Sequence, residues 1–210
     1  MGYRAIALSL VDGSGGESIG KEVAGRLGFG YLNETVVAQV AADQGLDTAT
    51  VADAERRRSF VERLANATAL AGVEGIALDA SYFAADRSDA ILGLIRDAVR
   101  SAAGHGDVVL VGHAASYACA DLPDVLRICI TAPLQTRATR VAAAKGIGEK
   151  DAVKLLRQSD AGRMAYLKRV YGVDGESPTD YDLVLNSDRL GAGAAIEAVL
   201  ALARNANHEP

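Results

Sequence analysis

The sequence predicts an α/β fold: a three-layer α/β/α sandwich in which a five-stranded parallel sheet lies between layers of helices. Short apolar runs bounded by turn residues alternate with amphipathic stretches of helical length, a pattern typical of parallel sheets covered on both faces. A glycine-rich loop, Gly13 to Gly16, joins the first apolar run to the first amphipathic stretch. Half of the 210 residues are hydrophobic, which favours a packed globular domain over a disordered chain.

In the first half of the chain, most of the residue patterns that predict strands and helices lie before residue 46. We expect a strand over 5–10, a helix over 17–27, a short strand over 29–32 and a helix that begins near Asn33. The first of these helices carries Ile19 and Val23 on one face, and Gly28 is positioned to end it. Residues 46–104 contain no strong strand candidate, so we expect a helical insertion there.

The second half of the chain continues the alternation of strand and helix. We expect strands over 108–111, 125–131 and 182–186, and helices over 134–145, 149–169 and 191–204. Residues 205–210 follow the last helix as a flexible tail. Because parallel strands run in the same direction, their carboxyl ends meet at one edge of the sheet, which is where ligands bind in open α/β folds.

Composition and charge narrow the classes of function. The formal net charge of −5 at pH 7 argues against a broad nucleic-acid-binding face, although it is compatible with a local basic pocket for small phosphates. No apolar run approaches the roughly 20 residues of a membrane span, and no signal peptide begins the sequence. Two cysteines do not make a disulfide framework. We therefore expect a cytoplasmic protein that binds neither membrane nor nucleic acid.

The glycine-rich loop and the start of the following helix form a predicted phosphate cradle. Glycines let backbone N–H groups turn toward one point, and a helix N-terminus adds partial positive charge there. The expected ligand-binding residues are Gly13, Ser14, Gly15, Gly16, Glu17 and Ser18. The alternative is a tight strand-to-helix turn that binds no ligand, because glycines also occur in such turns for packing.

The cradle lacks the lysine of the common phosphate-binding pattern G-x-x-x-x-G-K-[ST]. When the pattern ends at Ser18, Glu17 stands in the place of the lysine. In a second register, Gly15 is the first glycine and Gly20-Lys21 ends the pattern. This register matches more of the residues that the pattern requires. The apolar stripe places Gly20 and Lys21 inside the helix, with Lys21 about 6 Å beyond Glu17 along its axis, so we reject that register.

Four segments of the chain resemble the cytidylate kinase-like family of P-loop nucleoside monophosphate kinases. They are Leu8-Ser9 with Gly13 to Gly16, Phe29 to Glu34 with Ala41-Ala42, Val111 to Ala114, and Ala132-Pro133 with Arg137, Arg140, Asp160, Arg163, Tyr166, Tyr171-Gly172 and Tyr181 to Asn186. Their order and spacing agree over nearly the whole chain outside the insertion. The resemblance implies a single P-loop kinase-like domain over 1–204, with a helical acceptor or insert region at about 34–104 and a lid region at about 146–172.

In kinases of this family the lid carries arginines that close over the transferred phosphate. Phosphoryl transfer needs little from the protein beyond alignment and charge neutralisation. The resemblance gives this role to Arg137 and Arg163, and the neighbouring Arg140 and Arg157 are further candidates. Arg157, Asp160 and Arg163 recur every three residues, so we expect them on one side of a helix. The alternative for all four arginines is a solvated, salt-bridged helix face.

Two departures from the family pattern remove positive charge. Glu17 stands where the family has an arginine after the glycines, and His113 stands where it has an arginine after the third strand. A carboxylate in place of a cation beside a triphosphate lowers the expected ATP affinity. The resemblance further suggests that Ser18 contacts Mg²⁺ and that Asn186 lies near the adenine, although the turn at Asn186 could instead cap the final helix.

The leading hypothesis is an ATP-dependent phosphotransferase that uses ATP and Mg²⁺ and acts on a nucleoside monophosphate of the cytidylate type or a similar small acceptor. The alternative is a catalytically impaired protein of the same fold that binds a nucleotide or another anion. A third hypothesis, a purely structural module, predicts no nucleotide binding. A homodimer is a further hypothesis, because an Ala-rich insertion with apolar faces could bury itself against a second copy.

Overall fold

The computed structural model describes residues 2–33, 96–112 and 114–205. The strands are β1 (Ala5–Leu10), β2 (Gly30–Leu32), β3 (Val108–Val111), β4 (Val125–Thr131) and β5 (Leu183–Asn186). The helices are α1 (Gly16–Leu27), α2 (helical over 96–105), α3 (Ala115–Ala118), α4 (Leu134–Lys145), α5 (Glu149–Tyr171) and α6 (Ser187–Asn205), and a 3-10 turn spans Pro178–Asp180.

The described strands are parallel and form one sheet in the order β2-β3-β1-β4-β5. Strand β1 is central: Ala5 pairs with Val108 of β3 on one side and with Val125 of β4 on the other. The chain that follows Leu10 therefore leaves the middle of the sheet, at the edge where the carboxyl ends of the strands lie.

The two faces of the sheet are covered by different helices. Ile6 and Leu8 of β1 are fully buried in a cluster with side chains of α1 and α6. Because side chains alternate along a strand, Ala5 and Ala7 face the other way, into a cluster with α2 and α3. Burial of a large aliphatic side chain contributes roughly 1.5–3 kcal/mol, so β1 is held firmly in place before its loop begins.

Helix α1 is bounded by glycines in the left-handed conformation, with φ of 80° at the N-cap Gly15 and 72° at the C-cap Gly28. Inside the helix, a Cβ at Gly20 would lie only 2.8 Å from Cγ2 of Val111, so glycine allows α1 to pack closely on β3. This contact puts Gly20 on the sheet side of the helix, away from the loop. The expectation that Gly20 and Lys21 lie inside the helix is confirmed, whereas the choice of register stays a prediction.

Most of the predicted elements are confirmed, with small shifts at their ends. The strand predicted over 29–32 begins at Gly30, and the helix predicted over 149–169 continues to Tyr171. The last helix begins at Ser187 instead of residue 191, because a first helical turn precedes a break at Gly191, where φ is 72° and ψ is 164°. Sequence analysis misses α3 and the 3-10 turn, which are too short to produce a periodic signal.

The predicted helical insertion lies largely outside the described residues. Its last part, 96–104, is helical, whereas the rest of it and the helix expected after Asn33 fall in the undescribed range. Residues 206–210 of the predicted tail are likewise not described. In the ranges that the structure covers, no helix combines the length and the apolar character needed to cross a lipid bilayer.

Candidate functional site

The glycine-rich loop leaves the sheet directly after β1, between the neighbouring strands β3 and β4. The N–H of Val11 donates to the carbonyl of Ile130 at 3.3 Å, which ties the start of the loop to β4. The N–H of Ser14 donates to the carbonyl of Val11 at 3.0 Å and closes a turn. Gly13 and Gly15 have φ of 77° and 80°, values that residues with a Cβ rarely adopt. The turn therefore depends on glycine at both positions.

Glycine is also required in the loop because of space. A Cβ at Gly13 would lie 2.9 Å from the carbonyl oxygen of Arg137. A Cβ at Gly16 would lie 2.9 Å from Cβ of Leu10 and 3.3 Å from Cβ of Ile130. The loop is thus packed against α4 on one side and against the core on the other, and a side chain at position 16 would enter the core.

The first turn of α1 presents backbone amides. Gly15 has no side chain with which to cap the helix, and no side-chain cap hydrogen bond is present. The N–H of Ile19 donates to the carbonyl of Gly15 at 3.2 Å. Among the described residues, the N–H groups of residues 15–18 find no backbone acceptor. Amides in this arrangement can together bind an anionic group such as a phosphate.

Glu17 and Ser18 are exposed in this first turn. The hydroxyl of Ser18 donates to the carbonyl of Gly15 at 3.2 Å, and the hydroxyl of Tyr31 donates to the carbonyl of Glu17 at 3.5 Å. Burial raises the pKa of Tyr31, and the carboxylate of Glu17 raises it further. The negative charge of Glu17 therefore acts on the β2 side of the cradle, where Tyr31 lies.

Arg140 of α4 contacts the carbonyl groups of the loop. Its Nη1 donates to the carbonyls of Gly13 at 3.3 Å and Ser14 at 3.1 Å, and to the hydroxyl of Ser187 at 3.0 Å. The hydroxyl of Ser187 donates in turn to the carbonyl of Ser14 at 2.5 Å. The loop, α4 and the residue that follows β5 therefore meet in one cluster.

Arg137 of α4 is 6% exposed and joins the loop to α5. Its Nη1 and Nη2 donate to the two carboxylate oxygens of Asp160 at 2.9 and 2.7 Å, and Nη1 also donates to the carbonyl of Asp12 at 3.2 Å. The hydrogen bonds to Asp160 raise the pKa of Arg137. The side chain is consequently a permanent cation whose charge is balanced by Asp160.

A second contact joins the same two regions. The hydroxyl of Ser159 on α5 donates to Oδ2 of Asp12 at 2.6 Å. Asp12 therefore meets α5 through its side chain and meets Arg137 through its carbonyl. Helix α5, which occupies most of the predicted lid region, is in direct contact with the glycine loop.

Arg163 lies further along α5, in a separate and partly buried network. Its Nε and Nη2 donate to the carboxylate of Glu176 at 2.9 and 2.7 Å, and the hydroxyl of Tyr181 donates to the same carboxylate. Burial acts to lower the pKa of Arg163, but the hydrogen bonds and charge of Glu176 outweigh it and the pKa is raised. At Glu176, burial acts to raise the pKa, and the contacts with Arg163 outweigh it and lower the pKa. Both groups are charged and directed at each other.

The Arg163 network continues into a group of tyrosines. The hydroxyl of Tyr117 on α3 donates to Oδ2 of Asp180 at 2.9 Å, and the rings of Tyr117 and Tyr181 lie edge to face with centroids 5.9 Å apart. Burial raises the pKa of Tyr117 to about 12. Asp180 also accepts from the N–H of Ser177 at 2.7 Å, as part of a capping box. These contacts connect α3 with the segment that precedes β5, and Tyr181 of that segment shares the carboxylate of Glu176 with Arg163 of α5.

The fourth predicted arginine, Arg157, is exposed on α5. Together with Lys150 and Lys154 it lines an open cavity of about 440 Å³. None of these three cations forms an ion pair with another described residue. Arg157 is therefore available to an anionic ligand in a way that the ion-paired Arg137 and Arg163 are not.

Arg157, Asp160 and Arg163, which we expect on one side of the helix, have different neighbours in the structure. Asp160 meets Arg137, whereas Arg163 is directed at Glu176. The physical reason is the helical repeat: each step of three residues leaves the side chain about 60° behind the previous one. Three such residues spread over a broad arc and reach different neighbours.

Asn186, predicted near an adenine, caps helix α6. Its Oδ1 accepts from the N–H of Asp188 at 3.1 Å and from the N–H of Arg189 at 3.4 Å, which favours the capping alternative. The adjacent Ser187 is the residue of this turn that contacts the loop. The other predicted departure from the family pattern, His113, lies outside the described residues.

Sequence reasoning missed the acidic partner of Arg163 and the hydroxyl partner of Asp12. Glu176 and Ser159 belong to no motif, and nothing in their spacing indicates these contacts. One missed element did have a signal. Ser177 followed by a proline and, at the third position, Asp180 is typical of the start of a helical turn, and it marks the 3-10 turn that orders the Arg163 network.

A family model described as the cytidylate kinase-like family matches residues 5–189. The chain is 37% identical over 98 residues to a cytidylate kinase from Methanopyrus kandleri, a match that covers 43% of this chain and 51% of that relative. It is 31% identical over 97 residues to a cytidylate kinase from Ignicoccus hospitalis, covering 46% of this chain and 56% of that relative. The chain spans about half the length of the curated relatives it matches.

Solved structures with the same fold support this comparison. An uncharacterized protein from Eubacterium ventriosum matches with a TM-score of 0.67 and 18% identity, over 94% of this chain and 96% of that one. Shikimate kinase from Bacteroides thetaiotaomicron matches with a TM-score of 0.51 and 14% identity, over 94% of this chain and 96% of that one. At these identities the likeness shows the fold alone, which is a P-loop kinase-like α/β fold.

Proposed function

The chain belongs to the cytidylate kinase-like family, and from this premise we propose that it is an ATP-dependent phosphotransferase acting on a nucleoside monophosphate of the cytidylate type or a similar small acceptor. The observation that carries the proposal is the set of amides at residues 15–18, which lie at the carboxyl edge of the central strand and find no backbone acceptor among the described residues. Such amides suit the phosphates of a nucleotide.

Phosphoryl transfer requires the two substrates to be aligned and the negative charge on the phosphates to be neutralised. Backbone N–H groups of residues 15–18 would hold the phosphates of ATP, aided by the partial positive charge at the start of α1; the N–H of Ser14, which the sequence analysis included, already donates to the carbonyl of Val11. Arg157, which is free of ion pairs among the described residues, would approach the transferred phosphoryl group from α5, and Arg137 and Arg163 are the further candidates. The phosphate of the acceptor is itself the nucleophile, so no general base is required.

Mg²⁺ would accompany ATP and neutralise part of the charge on its phosphates. Over the described ranges, no group of three or more His, Cys, Asp or Glu side chains is arranged to hold a metal ion by itself. This fits Mg²⁺, which keeps several waters and is held largely by nucleotide phosphates. The exposed hydroxyl of Ser18 would contact the ion, with the exposed Asp12 assisting through water.

A second candidate function is nucleotide or anion binding without catalysis. Two of the arginines that would neutralise the moving phosphoryl group, Arg137 and Arg163, are paired with Asp160 and Glu176. Glu17 adds a negative charge beside the cradle. To take part in transfer, the paired arginines would have to exchange a carboxylate for the phosphate. Separately, the homodimer suggested by the Ala-rich insertion stays a prediction from the sequence.

The test is ADP formation from ATP and Mg²⁺ with CMP, UMP, AMP or no acceptor, alongside ATP binding measured by calorimetry. We expect ADP formation that depends on the acceptor, with CMP the best acceptor.

The second test reverses the charge beside the cradle. We expect Glu17→Lys to tighten ATP binding about tenfold, because a unit charge about 5 Å from a phosphate changes the binding energy even after screening by salt. Glu22→Lys, on the exposed side of the same helix, is the matched control and should change ATP binding less than twofold.

The outcomes separate the two candidate functions. Wild-type protein that binds ATP yet forms no acceptor-dependent ADP contradicts the kinase proposal and favours the binding protein. Wild-type protein that binds no ATP at millimolar concentration contradicts both. Equal effects of Glu17→Lys and Glu22→Lys would show that overall charge, and not the cradle, controls affinity.

A further inference from the structure

The glycine loop and the first turn of α1 contain no cationic residue of their own. From Val11 to Ser18 the loop and first helical turn contain two charged side chains, Asp12 and Glu17, and both are acidic. The backbone amides of residues 15–18 would therefore meet an anionic ligand in the presence of two negative charges. A phosphate site of this kind needs a positive charge from another element, and helix α4 supplies a candidate.

Arg140 of α4 is that candidate because its guanidinium contacts neutral oxygens instead of a carboxylate. Arg137, Arg163, Arg100 and Arg127 each pair with a carboxylate. The polar contacts of Arg140 are instead neutral oxygens: the carbonyls of two loop residues and the hydroxyl of Ser187. In the described part of the chain its charge is balanced by no ion pair, and a Cβ built at Gly15 would be 4.0 Å from Nη1.

The geometry of the peptide bond connects Arg140 to the ligand side. In a trans peptide the C=O and the following N–H point in opposite directions. Arg140 and the hydroxyl of Ser187 both donate to the carbonyl of Ser14, so both lone pairs of that oxygen are used. The N–H of Gly15, in the same peptide unit, is therefore held pointing away from Arg140, toward the open side of the loop.

We propose that Arg140 is the cation of the phosphate site and acts from behind the loop, as a positioning residue. It fixes the Ser14–Gly15 peptide with its N–H toward the ligand, and its charge acts through that peptide on the bound phosphates. The proposal rests on the proposed function only in that the loop binds phosphate, and it requires no catalysis. The ligand class is a polyphosphate, recognised independently of any base attached to it.

The experiment compares two replacements that differ in charge. Lys at position 140 keeps the cation, and its ammonium has three donors for the three oxygens that Nη1 contacts. Arg140→Gln keeps an N–H donor but loses the charge. We expect Arg140→Gln to bind ATP and tripolyphosphate about tenfold more weakly than wild type, and Arg140→Lys to stay within about threefold. Affinities are measured by calorimetry, and thermal unfolding establishes that each variant is folded.

Arg204→Gln, exposed near the end of α6, removes the same charge far from the loop and is the matched control, expected to bind as wild type does. Equal affinities of Arg140→Lys and Arg140→Gln would overturn the proposal, because the charge would then have no effect. A loss confined to ATP and absent for tripolyphosphate would overturn it too, because Arg140 would then contact the base. Wild-type protein that binds neither ligand contradicts both the proposed function and this inference, whereas binding without phosphoryl transfer contradicts the proposed function alone.

Discussion

Arg137, which is buried, and Arg163, whose side chain is 17% exposed, each donate two hydrogen bonds to one carboxylate and each involve helix α5, yet they connect different parts of the molecule. The carboxylate of Asp160 is 37% exposed, and Arg137 also donates to the loop carbonyl of Asp12. The carboxylate of Glu176 is 21% exposed and receives a further hydrogen bond from Tyr181. The first pair links α5 to the glycine loop, whereas the second links α5 to the segment before β5.

The difference shows that two neighbouring positions of one helix, three residues apart, connect it to two different parts of the molecule. The Arg163 pair is surrounded by tyrosines and touches no residue of the loop through its hydrogen bonds. The Arg137 pair shares its arginine with the loop, and the adjacent Ser159 contacts Asp12. A ligand bound at the loop would therefore lie next to residues that contact the first pair, whereas the second pair joins α5 to the segment before β5.

The largest effect is expected from Glu176→Gln. This change leaves the largely inaccessible guanidinium of Arg163, 17% exposed, without a countercharge, which costs about 3 kcal/mol of unfolding free energy. Urea denaturation measures it, and Glu197→Gln, which removes the partner of Arg26 in an exposed ion pair, should cost less than about 0.5 kcal/mol. A loss below about 1 kcal/mol for Glu176→Gln would show that this pair is no anchor.

A smaller effect is expected from Asp160→Asn. Arg137 keeps its hydrogen bond to the carbonyl of Asp12, and Asp160 is partly exposed, so we expect a loss of about 1 kcal/mol in unfolding free energy. Because the same arginine contacts the loop, ATP binding should weaken as well, about threefold, whereas Glu176→Gln should leave ATP binding nearly unchanged in folded protein. Asp174→Asn, in the exposed pair with Lys168, is the control. Equal effects of Asp160→Asn and Glu176→Gln on ATP affinity would contradict the distinction between the two ion pairs of α5.

The smallest effect is expected on the stability of the protein at acidic pH. The pKa of Glu176 is lowered below its ordinary value of 4.5, because the contacts with Arg163 outweigh burial. A carboxylate whose pKa is depressed by folding stabilises the protein above the unfolded pKa, and this contribution is lost as the pH falls through the folded pKa. Between pH 5 and pH 3 the wild type should therefore lose more unfolding free energy than Glu176→Gln does. Parallel pH profiles for the two proteins would contradict this assignment.

The elements that sequence analysis predicted best are those whose signals are local. Strand β1 and the glycine loop follow from an apolar run and from residues that need positive φ, as Gly13 and Gly15 do. The apolar stripe also correctly placed Gly20 inside α1. These features depend on neighbours within a few residues, which a single sequence records.

The partners of the arginines could not be predicted, because they depend on how distant segments pack. Arg137 and Asp160 are 23 residues apart, and Arg137 reaches the carbonyl of Asp12 across 125 residues. The resemblance assigned Arg137 and Arg163 the same role, because the assignment rested only on residue type and on position in the family motif. The acidic residue opposite Arg163 comes from an irregular segment with no periodicity, and only the packed structure reveals it.

The glycines of the loop divide it into positions that cannot change and positions that can. Gly13 and Gly16 have no room for a Cβ, whereas residue 17 extends into solvent. Substitutions at residue 17 therefore alter the electrostatic character of the cradle without disturbing its shape. A lineage with this loop can lose a cation there, and regain it by one mutation, while the fold persists through both changes.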